Sequence, residues 1–246
     1  RSGARGWRDA AGADDATGRA RGAAGTTGGA ATSRGQRRRA LALFEAGAGF
    51  RTRWPRANAY AVLGATEVLA AVPERPAAAA DTLLQAAAAG LGSVSSDPGW
   101  PWPEQRLGYA NAVLAEARIA AGAALGDERL LAEGLELLSW LVDTETRGVQ
   151  FSFTPVGGWA PGERRPGFDQ QPIEAAAMAD ACARAFDVTG EQEWADHALR
   201  AVAWFLGAND AGASLLDETS GGCRDGLTPS SVNENEGAES TIALIT

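Results

Sequence analysis

Two stretches decide the fold: LGDERLLAEGLELLSWL at residues 125–141 and TGEQEWADHALRAVAWF at residues 189–205. At an offset of 64 residues they overlay along their whole length and match Gly126 with Gly190. In each stretch, a Gly that suits the end of one helix is followed by an acid that suits the start of the next. A repeat of this length is typical of stacked supersecondary units, and the unit here is a helical hairpin.

Apolar periodicity extends the hairpin pattern through most of the chain. A first helix is predicted at 37–47, followed by three pairs, 57–71 with 76–90 through a short link at 72–75, 109–124 with 127–142, and 172–188 with 191–206. Residues 235–239 overlay 170–174 at an offset of 65, so a further unit opens at Gly237. The predicted fold is therefore all-α, an array of antiparallel helical hairpins.

The chain is predicted to have two parts. Residues 1–36 show no apolar period of a strand or a helix and are rich in Arg, Gly and Ala, so we predict a disordered arm. Residues 37–246 form the predicted helical domain. We also expect this domain to be truncated at both ends, because the sequence has no initiating Met and its last residues begin a further helix.

Charge and composition exclude several classes of protein. The formal net charge is −9, yet residues 1–40 carry +6, so the remaining 206 residues carry −15. A strongly acidic domain does not suit nucleic acid or an anionic membrane as a partner. No apolar stretch reaches the roughly 18 to 20 residues that a membrane-spanning helix needs. The 2 Cys residues lack metal-ligand spacing, so we predict a cytoplasmic protein without a metal site or disulfides.

Long connections between the hairpins point to the functional face. They are predicted at 91–108, 143–171 and 207–236, whereas the links within hairpins are a few residues long. All three long links therefore emerge at the same end of the helical stack, and long ordered loops on a rigid scaffold are where function usually lies. They combine aromatic rings with amides and carboxylates, the groups that stack on the CH faces of a sugar and pair with its hydroxyls.

Carboxylates are the remaining candidates for catalysis. The single His, His197, lies on a helix face that reads as solvated, and the sequence shows no nucleophile triad, phosphate-binding glycine loop or cofactor motif. We predict Asp169 as general acid or base, with Glu239 or Glu174 as its carboxylate partner. Structural roles stay open for each: turn formation for Asp169, a first-turn position for Glu239, and capping of its own helix for Glu174.

A further set of loop and helix-start side chains is predicted to line the sugar site. These residues are Trp100, Trp102, Arg106, Tyr109, Asn111, Trp159, Phe168, Gln170, Gln171 and Asn235. Loop packing is the alternative role for the tryptophans of this set. Trp140, Trp194 and Trp204 have helical spacing instead and are predicted to lie in the core.

Three segments resemble a known family: GWPWPEQRLGYANA at 99–112, GFDQQPIEAAAMADACARA at 167–185 and NENEGAESTIAL at 233–244. They look like the helical domain that occurs alone or C-terminal to glycosyltransferase modules in bacterial proteins and is similar to six-hairpin glycosidase-like toroids. The resemblance covers about residues 54–246. It implies part or most of an (α/α)6 toroid, a carbohydrate as substrate or ligand, and a glycosyltransferase module in the same or a neighbouring chain.

The chain departs from this family's pattern at two positions. Ala110 stands where the resemblance implies an Asp, and Gln150 stands where a His is common. Two interpretations follow. In the first, the domain binds or processes a glycan by carboxylate acid/base chemistry. In the second, it is a non-catalytic module that positions or recognises substrate for a bacterial glycosyltransferase. A helical protein-interaction solenoid ranks behind both, because it predicts aromatic residues along a concave face rather than in long loops.

Overall fold

The computed structural model of the chain describes residues 26–49, 51–71 and 78–246, with side chains from residue 35 onward. In this part of the chain the helices are α1 (Thr26–Gly47), α2 (Pro55–Ala71), α3 (Ala78–Ala89), α4 (Val113–Leu125), α5 (Glu128–Thr144), α6 (Pro172–Thr189), α7 (Gln192–Phe205) and α8 (Ala238–Ile245). Two short strands, β1 (Thr146–Arg147) and β2 (Gln150–Phe151), pair antiparallel with Thr146 opposite Phe151.

The predicted all-α fold of antiparallel hairpins is confirmed. The hairpins are α2 with α3, α4 with α5, and α6 with α7, and the two helices of each pack against one another. Helices α2, α4, α6 and α8 also lie side by side in one layer, with α3, α5 and α7 packed behind them. This two-layer arrangement brings the starts of the four front helices to one end of the domain.

The N-terminal region forms a unit of its own. Contacts divide the chain into Arg1–Phe44 and Glu45–Thr246, and α1 belongs mainly to the first of these. Helix α1 begins at Thr26, 11 residues before the predicted start, so residues 26–36 of the predicted arm are helical. The rest of the predicted arm and the predicted link at 72–75 lie outside the described residues.

The short links inside the hairpins follow the repeat. Gly126 and Gly190 end α4 and α6 with φ angles of 66° and 73°, the left-handed conformation that Gly adopts without a steric penalty. The Asp127 side chain accepts a hydrogen bond from Leu130 N at 3.0 Å and so caps α5. The predicted Gly ends of these helices are confirmed.

Helix α4 is the centre of the core. Every residue from Val113 to Gly122 is buried, and α4 contacts α5 so closely that two positions require Gly. A Cβ atom at Gly122 would lie 2.5 Å from the backbone N of Leu131, and one at Gly134 would lie 2.8 Å from Ile119 Cγ1. Of the tryptophans predicted for the core, Trp204 and Trp194 are buried, whereas Trp140 is half-buried.

None of the helices in the described ranges has the length and apolar character needed to cross a membrane.

Candidate functional site

Hydrogen bonds between the starts of α2, α4, α6 and α8 define the loop end of the domain. Arg56 at the start of α2 donates to Glu104 in the loop before α4, and Glu174 in the first turn of α6 accepts from Ala110 N at 2.5 Å. Tyr109 reaches Glu239 in the first turn of α8. Leu107 N donates to Trp159 O and Leu227 N donates to Gln170 O, both at 2.8 Å, so the three long connections meet at one end, as the loop lengths predicted.

The Tyr109–Glu239 pair is an accessible polar contact at the loop end. The Tyr109 hydroxyl donates to Glu239 Oε2 at 3.1 Å, the Tyr109 ring is 45% exposed, and Glu239 is exposed. Partial burial, followed by the charge of Glu239, raises the pKa of Tyr109 to about 12. The phenol therefore stays protonated at neutral pH and acts as a hydrogen-bond donor to Glu239.

Glu174 occupies a buried position between α4 and α6. Its carboxylate accepts from Ala110 N at 2.5 Å and from Asn111 N at 2.9 Å, so it caps the turn before α4 rather than its own helix. Burial, with a further contribution from the charge of Glu145, raises the pKa of Glu174 to about 8. Because both oxygens are engaged and the residue is 4% exposed, this carboxylate does not reach a ligand.

Asp169 lies in an exposed position just before α6. Its backbone oxygen accepts from Val156 N at 2.9 Å, which anchors the loop. Its carboxylate makes no hydrogen bond or ion pair with any residue that the structure describes, and it is exposed to solvent. Of the three predicted catalytic carboxylates, Asp169 and Glu239 are therefore accessible at the loop end.

The loop tryptophans pack against other aromatic rings and are not exposed to solvent as a binding surface would be. Trp102 is 1% exposed and stacks on Trp140 with ring centroids 5.7 Å apart, and Trp100 is 7% exposed and meets Trp140 edge-on at 5.3 Å. Trp159 is half-buried against Trp100. Packing, the alternative role, therefore describes Trp100 and Trp102, because buried rings have no face left for a sugar.

Arg106 and Phe168, the other predicted loop residues, lie near the surface. Arg106 pairs with Glu163 at 3.2 Å, and Glu163 also accepts from Ala160 N. Phe168 is half-buried, next to Asp169. Neither residue lines the cavities described below.

The predicted amides divide into buried and accessible residues. Gln170 is fully buried and joins Phe153 N, Trp204 Nε1 and Asp210 through its side-chain amide. Asn111 is also fully buried, and its amide is used within the turn before α4. Both residues join segments of the domain to one another, because their hydrogen-bonding groups already bind protein atoms.

Gln171 and Asn235 remain near solvent. Gln171 lines a polar cavity, and Asn235 is exposed and donates to Asp225. Asp225 accepts from Gly237 N and Ser240 Oγ, both at 2.7 Å, and so caps α8 from within the connection that precedes this helix. The bond from Ser240 is the main reason that the pKa of Asp225 is lowered.

Arg56 is a site residue that sequence reasoning missed. The Arg56 guanidinium donates to both Glu104 oxygens, at 3.1 and 2.5 Å, and to the Tyr109 backbone oxygen. The available signal was the position of Arg56 in the first turn of α2, where its charge opposes the helix dipole. A cation in this unfavourable position indicates that its side chain has a binding partner outside the helix.

Two cavities flank Glu239. The first, of about 360 Å³, is polar and lies at the starts of α6 and α8; its lining residues are Gln171, Pro172, Asp225, Asn233, Gly237, Ala238, Glu239 and Ser240. The second, of about 470 Å³, lies between the front helices and is mainly apolar, with Tyr60, Glu116, Asp180 and Ile242 among its lining residues. No cluster of three or more metal-binding side chains occurs among the residues in the described ranges.

Comparisons with known proteins find similarity among solved structures. No family model matches the chain, and no curated protein matches it. Among solved structures, the chain is similar to a glycoside hydrolase family 76 mannosidase from Bacteroides thetaiotaomicron, with a TM-score of 0.52 and 13% sequence identity. The match covers 72% of this chain and 49% of the mannosidase, so the chain spans about half the length of that structure. At this identity the similarity shows the fold alone, a helical-hairpin toroid.

Proposed function

We propose that this chain is a carbohydrate-active domain that binds or processes a glycan at its loop end. The observation that carries the proposal is the pairing of an exposed carboxylate, Glu239, with the Tyr109 hydroxyl at the edge of a polar cavity. Carboxylates, amides and hydroxyls that converge on a concave site are the groups that bind sugar hydroxyls. A fold similar to that of a glycoside hydrolase supports the same conclusion.

The proposed chemistry uses two carboxylates. Asp169 acts as general acid or base, and Glu239 is its partner, because both side chains are exposed at the loop end. The Tyr109 hydroxyl donates to Glu239 and thereby orients that carboxylate. In this class of reaction, a separation of roughly 5 to 5.5 Å gives retention of configuration and roughly 6.5 to 9.5 Å gives inversion.

A non-catalytic glycan-recognition or substrate-positioning role is the second candidate. It is favoured by Ala110, which stands where the family resemblance implies an acid and whose backbone N–H is bound by Glu174. A glycosyltransferase that works with such a module, in the same or a neighbouring chain, is part of this second proposal. The two candidates share the sugar site and differ only in whether a glycosidic bond is broken.

Mannosides are the first probes, because the structurally similar hydrolase is named a mannosidase. The wild-type chain is incubated with mannobiose and longer mannooligosaccharides of different linkage, products are separated by chromatography, and binding is measured by calorimetry. The variants are Asp169→Asn and Glu239→Gln. Glu128→Gln is the matched control, because Glu128 is an exposed acid at the start of α5.

The outcomes separate the two candidates. Turnover that is lost in Asp169→Asn and Glu239→Gln, and kept in Glu128→Gln, supports catalysis. Binding without turnover supports the recognition module. If Asp169→Asn turns over the glycan as fast as the wild type, the catalytic role of Asp169 is wrong, and if no mannoside or other glycan of a broad array binds, the carbohydrate function is wrong.

A further inference from the structure

We infer that Glu174 is a positioning residue, which holds the turn at residues 108–111 so that the Tyr109 hydroxyl meets Glu239. The value of this contact for catalysis or binding rests on the proposed function, whereas the positioning itself does not. Glu174 does not touch the proposed ligand space, since it is 4% exposed and its oxygens are engaged.

Glu174 forms hydrogen bonds to the turn from the protein interior. One of its oxygens accepts from Ala110 N at 2.5 Å, and the other accepts from Asn111 N at 2.9 Å and from Asn111 Nδ2 at 3.1 Å. Two successive backbone N–H groups and a side-chain amide therefore converge on a single carboxylate. Three hydrogen bonds to one buried side chain restrain the turn, so this contact fixes the backbone that carries Tyr109.

The turn needs such an anchor because of its backbone conformation. Ala110 has a φ of 47°, in the left-handed region that residues with a Cβ atom rarely adopt. Without the carboxylate, the turn would relax toward an ordinary φ angle and carry the neighbouring Tyr109 with it. Asn111 reinforces the shape, because its Oδ1 accepts from Gly108 N at 2.8 Å.

Arg56 holds the same turn from the outer side. It donates to the Tyr109 backbone oxygen and to Asn111 Oδ1, the latter at 3.2 Å, while Glu104 fixes the guanidinium. The backbone of the turn is thus held from both sides, and the Tyr109 side chain is left to reach Glu239. Glu174 is the only one of these anchors that binds the N–H groups of Ala110 and Asn111 among the residues that the structure describes.

The test follows the ionisation of Tyr109. The chain has 2 Tyr residues, so in a Tyr60→Phe background 3-fluorotyrosine labelling gives one fluorine resonance, which is titrated by NMR. Fluorination lowers the pH at which the hydroxyl titrates and so keeps the experiment under conditions where the fold is retained. Near-ultraviolet circular dichroism checks the fold at each pH.

The double variant separates positioning from direct repulsion. We expect Glu239→Gln to lower the pKa of Tyr109 by about one unit, and Glu174→Gln to produce a fall of similar size, because the hydroxyl then moves away from Glu239. In a Glu239→Gln background, Glu174→Gln should add little. If Glu174→Gln lowers the pKa of Tyr109 in the Glu239→Gln background as much as it does in the wild type, Glu174 acts on Tyr109 only through its charge, and the inference is overturned.

A second variant keeps the charge and shortens the reach. Glu174→Asp should also lower the pKa of Tyr109, since its carboxylate no longer reaches the turn, whereas a pKa equal to that of the wild type would overturn the inference. Glu128→Gln serves as the unchanged control. These titrations require no glycan, so the positioning role is judged on them alone. If the chain neither binds nor processes any sugar, the proposed function is wrong, and the result of the titrations still stands.

Discussion

The Tyr109 hydroxyl lies 3.1 Å from Glu239 Oε2 and joins two residues that are 130 positions apart in the sequence. Tyr109 belongs to the turn before α4, and Glu239 belongs to the first turn of α8. Their contact therefore crosses the loop end from one front helix to another. It places a neutral donor beside Glu239, a carboxylate that lines the polar cavity.

Replacement of Tyr109 by Phe tests the value of this contact. Because the Tyr109 hydroxyl orients Glu239 in the proposed site, we expect glycan affinity or turnover to fall about 10-fold, the equivalent of about 1.4 kcal/mol. Stability should change little, since the ring is 45% exposed and is retained. Titration calorimetry measures the glycan affinity, and scanning calorimetry measures the stability. Unchanged affinity in a variant that folds normally would show that the hydroxyl does not contribute to the site.

Glu174 should make stability fall as the pH rises through the neutral range. Its pKa is about 8 in the folded chain, against 4.5 for an ordinary Glu, so between these values the folded state keeps a proton that the unfolded state has lost. The free energy of unfolding contributed by this group is therefore undiminished below pH 4.5, falls up to about pH 8, and is then constant. Each pKa unit corresponds to about 1.4 kcal/mol.

Urea unfolding at a series of pH values checks this dependence. The difference in unfolding free energy between the wild type and Glu174→Gln should decline from acid to neutral pH, because only the wild type carries the titrating carboxyl. The background titration of all other groups is shared by both chains and cancels. A difference that is independent of pH would mean that the pKa of Glu174 is not raised.

Gly122 should not tolerate Ala, although Ala favours helices. A Cβ atom there would lie 2.5 Å from Leu131 N, so the α4 and α5 backbones must separate, at a cost of about 1 to 3 kcal/mol. Gly64 is the matched control, because it is an exposed Gly within α2 with no atom within 4 Å of the added group. Gly64→Ala should stabilise the chain by about 0.5 to 1 kcal/mol. Thermal unfolding of both variants measures the contrast, and equal effects would contradict it.

Gln170 and Gln171 should respond differently to the same substitution. Gln170→Ala leaves Phe153 N and Trp204 Nε1 without their buried acceptor, so we expect a loss of about 2 to 4 kcal/mol. Gln171→Ala should leave stability nearly unchanged, because this side chain lines the polar cavity. If Gln171 binds the glycan, its variant loses affinity instead. Chemical unfolding and calorimetry on the same two samples distinguish these roles.

The hairpin architecture was predictable because its signals are local. Gly126 and Gly190 end helices by their backbone conformation, and the apolar period that follows each of them sets the buried face. Loop lengths then placed the long connections at one end. The early start of α1 at Thr26 was missed because its Gly-rich first half has no apolar period.

The roles of individual site residues were less predictable. Capping of its own helix was the structural role considered for Glu174, but its carboxylate binds N–H groups of the turn before α4. Trp100 and Trp102 have the loop composition of a binding site and yet pack on Trp140. Arg56 was missed because its partners, Glu104 and Tyr109, lie some 50 residues away.

The sequence by itself determined that this chain forms all-α hairpins with long loops at one end, because helix periodicity, Gly ends and link lengths are properties of neighbouring residues. The tertiary structure alone decided which polar residues remain available to a ligand. Burial depends on contacts between distant segments, and it engages Glu174, Gln170 and Asn111 inside the domain while Asp169 and Glu239 stay exposed. Because an identical side chain can anchor a backbone or face solvent, only the packing around it fixes its role.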